Sequence, residues 1–533
     1  MLSRRSLLRG VSGSLVGSAL AQSGVVPAAM AAPAPAAPQP GDGGFSFDVL
    51  TNRMREAAAN PYQAPQADLP DPIQKLTYDQ YKAIAFRPDH ALWSDSNSLF
   101  RLQAFHMGWL FKAPVLLFEV VDGQANPITF TGADFEYRPP LKPDDFKGMT
   151  MPGVAGFRLH FPLNRPDVFD ELVVFQGASY FRALGHGNHY GISARGVAVD
   201  TATGKKEEFP DFTEFYIERP KPDATDITFY AVLDGPSVTG AFAFHVVPGQ
   251  DTITDVTARL FFRQDIERLG VAPMTSMFLF GENNRYTFDD YRAQVHDSDG
   301  LQISRRGGAQ IWRALSNPSE LANSFFAEEN MASFALLQRH RRFTDYEDTG
   351  AHYERRPSLH LEPLQDWGKG AIQLVEIPSD LEQNDNVVAF WTPEAPVKAG
   401  GSMEVAYRLR WGELAAQQGV LARSIATRTG VGGPSGIKNE EGLRKFIVDF
   451  AGGMLASLPA DAEVSAVTNV DGGEVVGSFV SRIDSTDGWR VGFDVRPHGD
   501  APIEMSSYLS LAGRPLSETW HFQWRTGDEK RRA

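Results

Sequence analysis

Residues 227–262 read ITFYAVLDGPSVTGAFAFHVVPGQDTITDVTARLFF, and this stretch decides the fold. Three runs, 227–233, 241–247 and 256–262, are short and rich in Phe, Val, Ile, Tyr and Thr, the residues that fill a pleated, half-buried surface. Leu233-Asp234-Gly235-Pro236 supplies turn chemistry between the first two. Working outward, 158–161 and 214–217 repeat the pattern upstream, while long helical periodicity is almost missing. Only two early segments read as helices. Phe47, Leu50 and Met54 fall at helical spacing before Asn60-Pro61, and 76–86 continues with Tyr78, Tyr81 and Ile84. An antiparallel, all-β architecture follows.

At 533 residues the chain exceeds one ordinary core, so two domains are expected. Prolines and glycines interrupt the apolar pattern at 391–401. The boundary is therefore placed there: a large β-sandwich over 45–392, a linker at 393–402 and a second domain over 403–527. Beyond the linker, 403–409, 445–450, 464–467, 475–483, 489–495, 505–511 and 518–524 make about seven strands in roughly 130 residues, the size of an immunoglobulin-like sandwich. Asp471-Gly472-Gly473 and Thr486-Asp487-Gly488 supply hairpin turns.

Hydrophobic content of 42% and charged content of 22% are those of a soluble globular chain. The net charge of −15 repels nucleic acid phosphates, so no nucleic-acid partner is expected. With no cysteine, disulfides, thiolate metal sites and a Cys nucleophile are excluded. The start of the chain reads as an address. Ser3-Arg4-Arg5-Ser6-Leu7-Leu8-Arg9, a modest apolar run and Ala29-Met30-Ala31 form a twin-arginine signal over 1–31, followed by a Pro/Ala/Gly-rich leader at 32–44. The expected location is the periplasm.

Several motifs fail on inspection. Gly191-Ile192-Ser193-Ala194-Arg195 lacks the second glycine of a nucleophile elbow. Residues 429–434, TGVGGP, lack the Gly-Lys-Ser/Thr ending of a phosphate cradle and read as a flexible loop. His186 and His189 have no carboxylate fixed near them, so no metal site is assigned. The carboxylates are more informative. His296-Asp297-Ser298-Asp299-Gly300 and Glu382-Gln383-Asn384-Asp385-Asn386 both sit at the mouths of strands. A pair of acids, one protonated and one ionised, is the minimum equipment for splitting a glycosidic bond. Tyr180, Arg182, Arg339, Tyr353, Arg356, Trp367 and Lys369 offer flat faces and planar donors suited to sugar rings and hydroxyls. Packing of the sandwich core is the competing use for the aromatics.

At these same segments the chain resembles the periplasmic glucan biosynthesis proteins, the OpgG/OpgD (MdoG/MdoD) family. The matching stretches include Phe105-His106-Met107-Gly108-Trp109-Leu110, Ser179-Tyr180-Phe181-Arg182, Tyr190-Gly191-Ile192-Ser193-Ala194-Arg195, His296-Asp297-Ser298-Asp299-Gly300, Leu336-Leu337-Gln338-Arg339, Trp367-Gly368-Lys369-Gly370 and Asn384-Asp385-Asn386. The twin-arginine leader makes the chain more similar to the OpgD branch. The resemblance implies a galactose mutarotase-like antiparallel β-sandwich followed by an immunoglobulin-like one. It also implies a part in making osmoregulated periplasmic glucans, with a β-1,2-linked glucose backbone as the polysaccharide partner. Members of the OpgD branch look like inverting endo-β-1,2-glucanases. Carried over by motif, Asp385 is the general acid, Asp297 the general base and Tyr353 a substrate contact. Beside these, Asp299, Arg339, Arg356, Trp367, Lys369, Tyr180 and Arg182 are expected, on their chemistry, to bind sugar. No metal or organic cofactor is implied. A non-catalytic scaffold guiding a membrane glucan synthase, and a transglycosylase or branching enzyme, stay open beside the hydrolase, as does a homodimer.

Overall fold

The computed structural model describes residues 44–529 apart from 330, 415–418, 435, 439–441, 460 and 485. The expected export signal and nearly all of the expected leader lie outside the described residues. Two sheets face each other in the first sandwich. One runs in the order Arg101–Phe105, Gly156–Arg165, Val168–Gln176, Tyr180–Ala183, Ser193–Arg195, Leu269–Ser276, Val387–Pro393, Gly370–Glu376, Ala322–Glu328. The other passes through Gly300–Arg305, Met331–Leu337, Ser358–Pro363, Ser402–Gly412, Thr252–Phe262, Val238–Val247, Ile227–Asp234 and Asp211–Glu218.

Strand Thr252–Phe262 shows why the alternation works. Val256, Ala258 and Leu260 are buried between the sheets. On the other face, Asp255 and Arg259 stand opposite Arg408 and Glu404 and form ion pairs with them at 2.6 and 2.7 Å. Phe157, Phe175, Phe212, Phe215, Phe229 and Phe244 interlock between the sheets, with Phe157 and Phe215 edge to face at 4.8 Å.

Helix Phe47–Ala58 forms as the spacing predicts, with Ser46 capping it by accepting from the Val49 amide at 3.2 Å. Its Leu50 and Met54 bury against Val232, Ala241 and Phe261 on the outer face of the second sheet. The second predicted helix is mostly absent. Only Tyr78–Lys82 is helical, closed by a Thr77–Gln80 capping box, and Ile84–Phe86 is a strand paired with Phe135–Tyr137. The apolar spacing there serves a strand edge rather than a helix face.

The domain boundary also differs from expectation. Strand Ser402–Gly412 pairs with Thr252–Phe262 and Ser358–Pro363, and its Val405, Tyr407, Leu409 and Trp411 belong to the first core. The Pro/Gly segment before it is a loop within the sandwich. Among the described residues the second sandwich instead begins with Arg423–Val431, which includes part of the predicted flexible loop. A four-stranded sheet, Arg423–Val431, Arg444–Ala451, Gly488–Pro497 and Gly473–Ile483, faces Ser465–Asp471, Ile503–Leu511 and Thr519–Trp524. Its separate core holds Phe446, Trp489, Phe493 and Trp520. The two sandwiches share a sheet, because Thr519–Trp524 pairs in parallel with Gln310–Ala314.

Candidate active site

Strand Leu269–Ser276 ends, and strand Val387–Pro393 begins, at the same end of the first sheet, since Ser276 pairs with Val387. Both expected aspartates collect there, and the backbone explains how. Asn386 stitches the loop before Val387 to the next element. Its Oδ1 accepts from the Phe278 amide at 2.8 Å, and its Nδ2 donates to the Phe278 and Ile377 carbonyls at 3.0 Å. Phe278 pairs with His296 in the short hairpin Phe278–Phe280/Val295–His296, and the Asp297 amide donates to the Met277 carbonyl at 2.8 Å. Asp385 and Asp297, distant in sequence, are thus each one residue from opposite ends of a single hydrogen-bonded stitch.

The two carboxyls have different surroundings. Asp297 is 2% exposed, and one of its oxygens accepts from Arg356 Nη1. Arg356 lies over the Tyr353 ring at 4.2 Å, and its stem packs on Gly191, where a Cβ would come within 2.9 Å of it. Only glycine leaves room for that arginine. The Asp385 side chain is 8% exposed, with Arg182 Nη2 3.6 Å from Oδ2, an oxygen without a hydrogen-bond partner among the described residues. Burial pushes its pKa up to about 6, opposed by Arg182 and aided by the charge of Asp297. The phenol of Tyr353, also buried, is pushed well above its ordinary range.

Around this pair, Tyr180, Arg182, Ser193 and Arg195 project from one face of adjacent strands, with Tyr180 opposite Arg195. Arg182 Nε donates to Ser193 Oγ at 2.6 Å, and Arg195 sits 4.9 Å from the Tyr180 ring while pairing with Glu207 at 2.9 Å. Glu382 reaches the same cluster and pairs with Arg292 at 2.7 Å. Arg195 and Arg292 were not among the expected site residues. Arg195 was legible as the alternate position after Ser193 in a matched stretch, whereas Arg292 carries no local signal.

Four expected residues lie elsewhere. Trp367 packs on Trp391 and Tyr407, and Lys369 faces Glu329 at 3.5 Å on the surface. Both are at the Gly370–Pro393 end of a strand pair whose other end, Glu376–Val387, adjoins Asp385, a separation of ~20 Å. Arg339 turns to the second sandwich and pairs with Glu518 at 2.6 Å. Asp299 is buried with its carboxylate on His340 Nδ1 at 2.5 Å and on the Arg339 and His340 amides. Burial opposes its ionisation, yet His340 and His296 hold it well below the usual carboxylate range. His296, Asp299 and His340 are near enough to hold an ion, their ligand atoms lying within 4.8 Å of one another. In this arrangement protons already satisfy Asp299.

The chain matches the family described as "Periplasmic glucan biosynthesis protein, MdoG" over residues 45–524. It is 52% identical over 532 residues to the Glucans biosynthesis protein G of Cereibacter sphaeroides, covering 98% of both chains. It is 42% identical over 494 residues to the Glucans biosynthesis protein D of Xanthomonas oryzae pv. oryzae, covering 91% of this chain and 90% of that one. Among solved structures, a galactose mutarotase related enzyme from Lactobacillus acidophilus aligns with 44% of this chain and 96% of its own at 10% identity, with a TM-score of 0.20. The chain belongs to the periplasmic glucan biosynthesis protein family.

Proposed function

We propose that this protein is an inverting endo-β-1,2-glucanase of the periplasm, reached by twin-arginine export, which cuts the backbone of periplasmic glucans during their synthesis. One observation carries the reading: two aspartates distant in the chain share one cluster, where burial favours the neutral form of Asp385 and Arg356 binds the carboxyl of Asp297. Asp385, raised to about 6 by burial, keeps a proton for the leaving oxygen. Asp297, paired with Arg356, takes the part of the base that activates water. The arginines around them donate to the hydroxyls of a neutral sugar and Tyr180 offers its ring, while Tyr353, expected to touch substrate, is buried beneath Arg356 and supports that side chain. Inversion requires carboxyls ~6.5–9.5 Å apart, or a relayed proton over a longer path.

Purified protein incubated with linear β-1,2-glucan should release short oligosaccharides whose new reducing ends first appear as the α-anomer. Binding without cleavage would replace this reading by the scaffold, and longer products would replace it by a transglycosylase. The pH profile follows from the acid. Because Asp385 must carry its proton, kcat/KM should fall as pH rises through about 6, and a profile flat to pH 8 would contradict the assignment. Lys369→Ala, ~20 Å from the pair, should keep kcat within about twofold, while a tenfold loss would mean that the substrate path reaches that end of the strands.

A further inference from the structure

The four consecutive side chains of segment 338–341 go to four different places. Gln338 Nε2 donates to the His296 carbonyl at 2.9 Å, and its Oε1 lies 2.9 Å from His296 Nδ1, so it grips the residue before Asp297. His340 holds Asp299, two residues after Asp297, from ring and backbone. Arg341 donates to the carbonyls of Arg356 and Glu354 and to Ser358 Oγ at 2.9 Å, fixing the turn from which Arg356 reaches Asp297. Arg339 points the other way. It lies 3.4 Å over the Trp312 ring, donates to the Ser424 carbonyl at 2.8 Å and meets both oxygens of Glu518 at 2.6 and 3.0 Å. Glu518 is fully buried and also accepts from the Ser424 amide at 2.8 Å.

We propose that Glu518, in the second sandwich, is a positioning residue for the aspartate pair, acting through Arg339 to set where segment 338–341 holds Asp297 and Arg356. The inference rests on the hydrolase reading above. A buried, bidentate ion pair adds little net stability, because desolvation offsets most of its attraction. What it supplies is a fixed direction and distance. A base displaced by a fraction of an ångström loses rate without losing substrate, since binding is spread over many other groups. The second sandwich thereby acts as part of the catalytic frame.

The test uses the full chain carrying Glu518→Gln, which keeps shape and one acceptor but drops the charge. On linear β-1,2-glucan, kcat should fall at least about tenfold with KM within about twofold. Glu518→Asp, which retains the charge, should recover part of the loss. In an Asp385→Asn background, Glu518→Gln should leave glucan affinity unchanged by calorimetry. Wild-type kcat in Glu518→Gln would overturn the proposal, as would a loss that merely tracks a reduced folded fraction by near-ultraviolet circular dichroism. The two ideas separate cleanly: cleavage by the unaltered protein, abolished by Asp385→Asn but indifferent to Glu518→Gln, removes this inference alone. No cleavage by the unaltered protein removes the hydrolase reading, and this inference with it.

Discussion

Asp385→Asn should lower the rate of β-1,2-glucan cleavage by about 10³-fold, within the range a general acid contributes, while glucan affinity changes little. The amide keeps the shape of the side chain and cannot deliver a proton to the leaving oxygen. The same variant should be more stable than the wild type at neutral pH. The folded-state pKa of about 6 lies above the ordinary value of 3.8, so the buried neutral acid favours folding below pH 4. That contribution is lost as pH rises from 4 through 6, and at pH 7 the wild type carries a buried charge that the amide lacks. The gain is on the order of 3 kcal/mol at most, trimmed because Arg182 loses its counter-charge. Urea unfolding at pH 4 and pH 7 tests it. Equal stability of the two proteins at both pH values would mean that Asp385 is not held neutral, and retained cleavage would remove it as the acid.

Glu376→Ala should destabilise the protein by about 3–5 kcal/mol, the usual result of stripping one partner from a buried ion pair. Glu376 and Arg313 are 1% and 0% exposed at the side chain and meet at 2.8 Å. The pair ties strand Gly370–Glu376 of one sheet to Gln310–Ala314 of the other, and Glu376 also accepts from the Ser316 amide at 2.6 Å. Burial outweighs Arg313 and leaves the Glu376 carboxyl above its ordinary range. The attraction therefore falls short of the desolvation cost. Replacing both partners, as Glu376→Leu with Arg313→Met, should recover most of the loss. A single substitution costing under 1 kcal/mol in chemical denaturation would show that water reaches the pair.

The period-two alternation made the sheets legible. Val256, Ala258 and Leu260 point inward as their spacing requires, and Ser46 with the Phe47–Leu50–Met54 stripe marked the first helix. The aspartate pair was legible only through motif, since nothing in the spacing of Asp297 and Asp385 says that Asn386 and Phe278 will join their loops. The boundary was misplaced for a similar reason. Pro393, Pro396, Gly400 and Gly401 mark a turn, and local chemistry cannot say whether the strand after a turn returns to the old core or opens a new one. Arg339 and Trp367 looked like sugar-binding groups because Arg and Trp serve ligands and cores alike. Their partners, Glu518 and Trp391, are long-range facts.

The parallel pairing of Thr519–Trp524 with Gln310–Ala314 has a consequence for biosynthesis. Thr519–Trp524 completes a sheet begun far upstream, so the nascent chain cannot close this sheet until Trp524 has been made. Truncation anywhere before Thr519 would strand Gln310–Ala314 with one bare flank and uncover Trp312, a template for strand-to-strand aggregation. Premature termination should therefore yield inclusion bodies rather than a soluble N-terminal fragment.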